Sequence, residues 1–199
     1  MSPRVPYRVI GPALAALALA VAAPAGAAVV AFTGVTTNDT PPPMPSPLCA
    51  PGQVRIAFSS ANATVTGASN FGAFSPTLAH CLTPPPTSYS GGVFDFAFDA
   101  GDQVSGSYSG FFTPTATTDV LDTFVTYVVT GGTGRFAGAS GTIEGVGILD
   151  RRVARPLNSL TLNGSLNLPA VPEPATWGLM IVGFGFAGAA VRRRRRLAA

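Results

Sequence analysis

From residue 53 to residue 168 the chain alternates apolar and polar positions in short runs broken by glycine and proline. In "VFDFAFD", Phe94, Phe96 and Phe98 fall on one face of an extended chain and Asp95 and Asp99 on the other. "QVSGSYSGFF" places Val104, Tyr108 and Phe112 together, with glycines between them. "VRIAF", "NATVTG", "DTFVTYVVT", "GTIEGVGILD" and "LTLNGSLNL" have the same period of two, and no stretch keeps a helical period. The pattern predicts an all-β domain over residues 53–168, a single antiparallel β-barrel or sandwich of seven to eight strands. Its 116 residues can bury one core. The phenylalanines and tyrosines of these runs are expected to fill that core. "GGTG" reads as a hairpin turn in which Gly131, Gly132 and Gly134 supply positive φ while Phe136 packs back on the core.

The periodic region is flanked by segments of another kind. Arg4 and Arg8, an apolar run of 14 residues from Ile10 to Ala23, and small residues at Ala25-Gly26-Ala27 predict a cleaved secretory signal peptide over residues 1–28. Signal peptidase and the Sec machinery are its expected partners. Residues 29–52 include "TNDTPPPMPSPLCAPG", read as a proline-rich surface arm. Export leads to an oxidising compartment, so a disulfide between the two cysteines, Cys49 and Cys81, is expected.

Near the other end, residues 169–174 form a linker containing Pro172, Glu173 and Pro174. Residues 175–191 carry no charge and, beyond Thr176 and the indole of Trp177, no polar side chain. As a helix they would extend about 25 Å, the lower limit for a transmembrane helix. Arg192, Arg193, Arg194, Arg195 and Arg196 follow in a tail over residues 192–199. Guanidiniums are costly to translocate, so that end is expected to stay cytoplasmic and the β domain to lie outside.

Charge and site chemistry narrow the function. The chain has 12 basic and 9 acidic residues, and no lysine. Between the two ends five arginines meet eight acids, so the domain is acidic and a nucleic-acid partner is not expected. Asp95 and Asp99 would lie about 13 Å apart along a strand, too far for paired acids. "DAGD" lacks the spacing of a calcium loop. His80, the single histidine, is too isolated for a catalytic triad or a zinc site. No catalytic residue, metal or cofactor is therefore expected. Arg151, Arg152 and Arg155 form a small basic cluster, a solvated loop or a contact for acidic polysaccharide. "GFGFAG" and "GTGRFA" match glycine-rich nucleotide fingerprints in letters but lack the strand-turn-helix context.

The order Pro172-Glu173-Pro174, Trp177, then Gly183 and Gly185 within "LMIVGFGFAG", then five arginines resembles the PEP-CTERM sorting domain of exported bacterial proteins. Gly178 and Leu179 depart from the usual residues. The resemblance implies an exosortase-type transpeptidase that cleaves near Pro172–Pro174 and releases the protein or transfers it to the cell surface. It also implies a tie to exopolysaccharide and biofilm. "YVVTGGTGRFAGASGTIEGVG" resembles a stretch of the dirigent and allene-oxide-cyclase group of small β-barrels. The leading expectation is an exported, membrane-tethered, non-catalytic β domain. The alternative is a small-ligand-binding or enzymatic barrel of that second group, to be recognised by an open mouth and inward carboxylates.

Overall fold

The computed structural model describes residues 27–84, 87–169 and 174–197. The signal-peptide segment, apart from its last two residues, lies outside that range, as do Pro172 and Glu173 of the linker. Nine strands are present among the described residues: β1 (Ala28–Asp39), β2 (Val54–Phe58), β3 (Val65–Ser69), β4 (Gly72–Thr83), β5 (Ser88–Phe98), β6 (Gln103–Pro114), β7 (Val120–Thr133), β8 (Ser140–Asp150) and β9 (Leu157–Leu168). All pairings are antiparallel. The order β4-β3-β1-β9-β8-β7-β6-β5 closes on itself through β4–β5, giving an eight-stranded barrel. The ninth strand, β2, shares one place in the ring with β3: β3 pairs with the first residues of β4 and β2 with its later ones. The structure thus selects barrel over sandwich.

The barrel begins at Ala28, not at residue 53. β1 pairs with β9 along twelve positions, so only the part of the expected arm after Asp39 is an arm. The strand is hidden in the sequence because its inward positions turn polar: Phe32, Thr36 and Asn38 are buried, while Val29 and Val35 are exposed. β4 is hidden by Pro76 in mid-strand. That proline stands at the break between β2 and β3, where β4 has no neighbour on that side, and a residue without an N–H is tolerated there.

Two local irregularities aim side chains inward. The register of β5 shifts between Tyr89 and Gly92, with Gly91 at φ +58. The extra residue changes the parity of the strand, so that Tyr89 and Phe94, five positions apart, are both buried. The expected GGTG turn is displaced. Gly131 and Gly132 lie within β7, opposite Ser105 and Val104, and of the three glycines only Gly134 has positive φ, at +58. Gly132 is required by space instead, since a Cβ there would meet Gln103 O and Phe136. Phe136 packs back on the core, fully buried, as expected.

The barrel interior is one continuous core from Phe32 and Leu166 to Ile56 and Leu160. Cys49 and Cys81 form a disulfide that fastens the arm to the outer face of β4, with Cα atoms 5.5 Å apart. In the chain-entropy account such a loop contributes about 3–4 kcal/mol. The C-terminal helix α1 (Pro174–Leu197) belongs to a second compact unit.

Candidate functional site

One end of the barrel is filled and the other holds space. At the filled end Phe32, Phe71, Phe74, Phe96, Phe98 and Phe136 pack with ring centroids 4.7–6.4 Å apart. The Arg135 guanidinium lies over three of these rings, 5.0 Å from Phe136, 5.4 Å from Phe98 and 5.7 Å from Phe71. It pairs with Asp102 at 2.9 Å and donates to the Phe71 carbonyl at 2.7 Å.

The opposite end encloses a cavity of about 240 Å³. Ile56, Phe58, Leu78, Leu82, Phe112 and Leu160 form most of its wall. Thr40 and Pro43, from the start of the arm, contribute to its rim. Polar groups gather on two sides. On one, His80 Nδ1 and the Tyr108 hydroxyl are 2.7 Å apart, with Tyr89 stacked near the imidazole at 4.7 Å between centroids. On the other, Asn38 of β1 and Asn158 of β9 stand opposite each other in register, and Arg151 follows the end of β8. The Oδ1 atom of Asn158 is buried without a hydrogen-bond partner.

Burial sets the ionisation of these groups. It lowers the His80 pKa from 6.5 to about 4, so the imidazole is neutral at physiological pH. Burial, then the neighbouring Tyr127 and Tyr89 hydroxyls, push the Tyr108 pKa well above its usual value, opposed by the positive charge of Arg55. The neutral Tyr108 hydroxyl and the neutral imidazole share a hydrogen bond at Nδ1 whose direction follows the imidazole tautomer. Tyr89 and Tyr127 are shifted upward by burial as well. Among the described residues the lining contains no carboxylate, so the inward acids expected of the alternative are not part of it.

The basic cluster divides. Arg152 pairs with Asp150 at 2.7 Å and Arg155 with Asp39 at 3.2 Å. Arg151 has no carboxylate partner among the described residues.

Helix α1 spans 24 residues with Pro174 at its start, where a missing N–H costs nothing. Residues from Leu179 to Phe186 are exposed along it, with Gly183 and Gly185 open to their surroundings, and Arg192, Arg193 and Arg194 are exposed near its end. Arg195 and Arg196 continue the helix. Residues 170–196 match the PEP-CTERM protein-sorting motif. The chain carries a PEP-CTERM signal. That signal implies exosortase-dependent sorting of an exported protein and transient membrane anchoring at the C-terminus. The matched segment contains Pro172, Glu173, Pro174, Trp177, Gly183, Gly185 and all five arginines. Among the described residues no helix is long and apolar enough to cross a membrane, and the expected spanning helix over residues 175–191 is not shown. Gly178, Gly183, Gly185 and Gly188 thin the apolar surface of α1, and the arginines occupy its last turns. No curated protein matches the chain, and no solved structure matches it.

Sequence reasoning missed the polar part of the cavity. His80 stands alone in the sequence, and the bulge hides the inward parity of Tyr89. The Asn38–Asn158 pair carries no signal in the sequence, because the polar inward positions of β1 hide that strand. Of the phenylalanines and tyrosines in the periodic runs, Phe58, Tyr108, Phe112 and Tyr127 line the cavity. Phe111 and Phe124 stack on the outer face at 5.0 Å and 17°.

Proposed function

We propose that the barrel is the cargo of its sorting signal: a non-catalytic module carried to the cell surface or extracellular matrix and tied there to exopolysaccharide. The observation that carries this reading is the PEP-CTERM match at residues 170–196 on a chain whose main unit is a closed, disulfide-bonded barrel. A disulfide suits an exported domain. The arginines favour a cytoplasmic C-terminus while the protein waits at the membrane. An exosortase-type transpeptidase then cuts near Pro172–Pro174. The outer face offers matrix polymer a contact, since Phe111 and Phe124 lie beside Ser109, Thr126 and Glu144.

Mass spectrometry of the mature protein tests the sorting. The expected product lacks the first 27 or 28 residues and everything beyond the Pro-Glu-Pro region. An intact tail in cells with an active exosortase removes the reading. For the matrix link, retention on an exopolysaccharide column should drop in Phe111→Ser and Phe124→Ser. Equal retention would discard the outer face as the contact.

A second reading, a small-ligand-binding barrel, is favoured by one observation: the cavity at the open end, apolar in its wall and polar on two sides.

A further inference from the structure

We infer that the open end binds a small monocarboxylate, its apolar body among Phe58, Leu78 and Phe112 and its carboxylate at Arg151 and Asn158. The inference rests on the second reading above and names its ligand.

Size comes first. An apolar cavity of about 150 Å³ stays dry and accepts a benzene ring, so 240 Å³ accommodates about ten non-hydrogen atoms. The wall is aliphatic and aromatic, which suits a hydrocarbon chain or a single ring. The far end of the barrel is packed with phenylalanine, so the body cannot extend beyond that length. The head group is set by the Asn158 side. A buried amide oxygen without a partner is costly, and a side-chain amide can turn either its oxygen or its NH₂ toward a ligand. Asn38, 3% exposed, stands opposite it in register. Arg151 decides for an anion. Arg152 and Arg155 are neutralised by Asp150 and Asp39, whereas Arg151 has no acid partner among the described residues. No acidic side chain in the lining repels a carboxylate. Guanidinium and carboxylate also match in geometry.

The test is equilibrium binding to the full chain in lipid nanodiscs. The probes are octanoate, with about ten non-hydrogen atoms as the cavity requires, its neutral analogue octan-1-ol, and the longer dodecanoate. Leu160→Trp fills the cavity; Phe58→Trp replaces it if the first variant does not fold. Octanoate should bind the wild type and lose at least about tenfold in affinity in the filled variant. Arg151→Gln should weaken octanoate about fivefold and leave octan-1-ol unchanged. Dodecanoate should bind the cavity less tightly than octanoate. Equal octanoate binding in the wild type and the filled variant places the ligand in the bilayer or the helix and overturns both the site and the second reading, as does no binding at all. Octan-1-ol binding as tightly as octanoate, with Arg151→Gln without effect, overturns the carboxylate alone. Neither result bears on the sorting signal.

Discussion

Where β1 begins, six phenylalanines meet ring to ring beneath one guanidinium; where β1 finishes, the same ring of strands surrounds about 240 Å³ of space with tyrosine, histidine and asparagine. Backbone pairing is less regular at the open end, where β5 bulges and β2 pairs with β4 but not with β1, and the side chains differ as well. At the filled end the inward positions of β1, β4 and β5 are Phe32, Phe74, Phe96 and Phe98. At the open end their counterparts are Asn38, His80 and Tyr89. A barrel of eight strands is just wide enough for large side chains to fill, and whether it fills is a local matter of residue size.

The comparison predicts unequal costs. Phe96→Ala removes a fully buried ring from the filled end and should lower unfolding free energy by about 3–5 kcal/mol in denaturant titrations. A much smaller loss would mean that this end is also loosely packed. Cys49→Ser acts at the open end through the arm. It should lose about 3–4 kcal/mol, and the amides of Thr40 and Met44, bonded to the Pro156 and Arg55 carbonyls, should exchange with solvent faster than those of the filled end.

Next in size is a pH effect. The unfolded imidazole takes its proton near 6.5 and the folded one near 4. Between those values the unfolded chain binds more protons, so stability falls as pH drops through the window, by up to about 3 kcal/mol at its lower edge. His80→Gln should flatten this slope in urea titrations at pH 6.5 and 4; an unchanged slope would assign it to carboxylates. Arg135→Ala, which uncovers the filled end, should cost about 1 kcal/mol, since the side chain is 44% exposed and its ion pair is screened. Added salt should remove only the ion-pair share. Smallest is Thr123→Val. Its buried hydroxyl has no partner, so the change should be neutral or stabilise by about 1 kcal/mol.

The two ends also differ in how plainly the sequence announces them. "VFDFAFD" alternates without interruption, and its inward phenylalanines are where a period of two puts them. The open end is built by departures from that rule. The bulge at Gly91 turns Tyr89 inward against the parity of its strand. Pro76 disguises β4 and with it the setting of His80. In β1 the inward set passes from Phe32 to Thr36 and Asn38, so the hydrophobic signal fades toward the mouth. Asn158 becomes a candidate only once β1 and β9 are known to be neighbours. The cysteine pair was legible because export leaves few other uses for two thiols. The GGTG turn was misplaced because glycine does not distinguish positive φ from close approach, and Gly132 serves the second need. The sorting segment lay at the opposite extreme, a contiguous stretch read letter by letter without reference to the fold.

The direction of β9 carries a consequence for display. It starts at Leu157, beside the cavity, and finishes at Leu168, beside the phenylalanine plug, before the chain enters the segment that an exosortase handles. The chain thus leaves the barrel at its plugged end, while the cavity lies at the other end. Trimming the chain beyond Leu168 would therefore leave every strand of the barrel and every residue of the cavity wall in place.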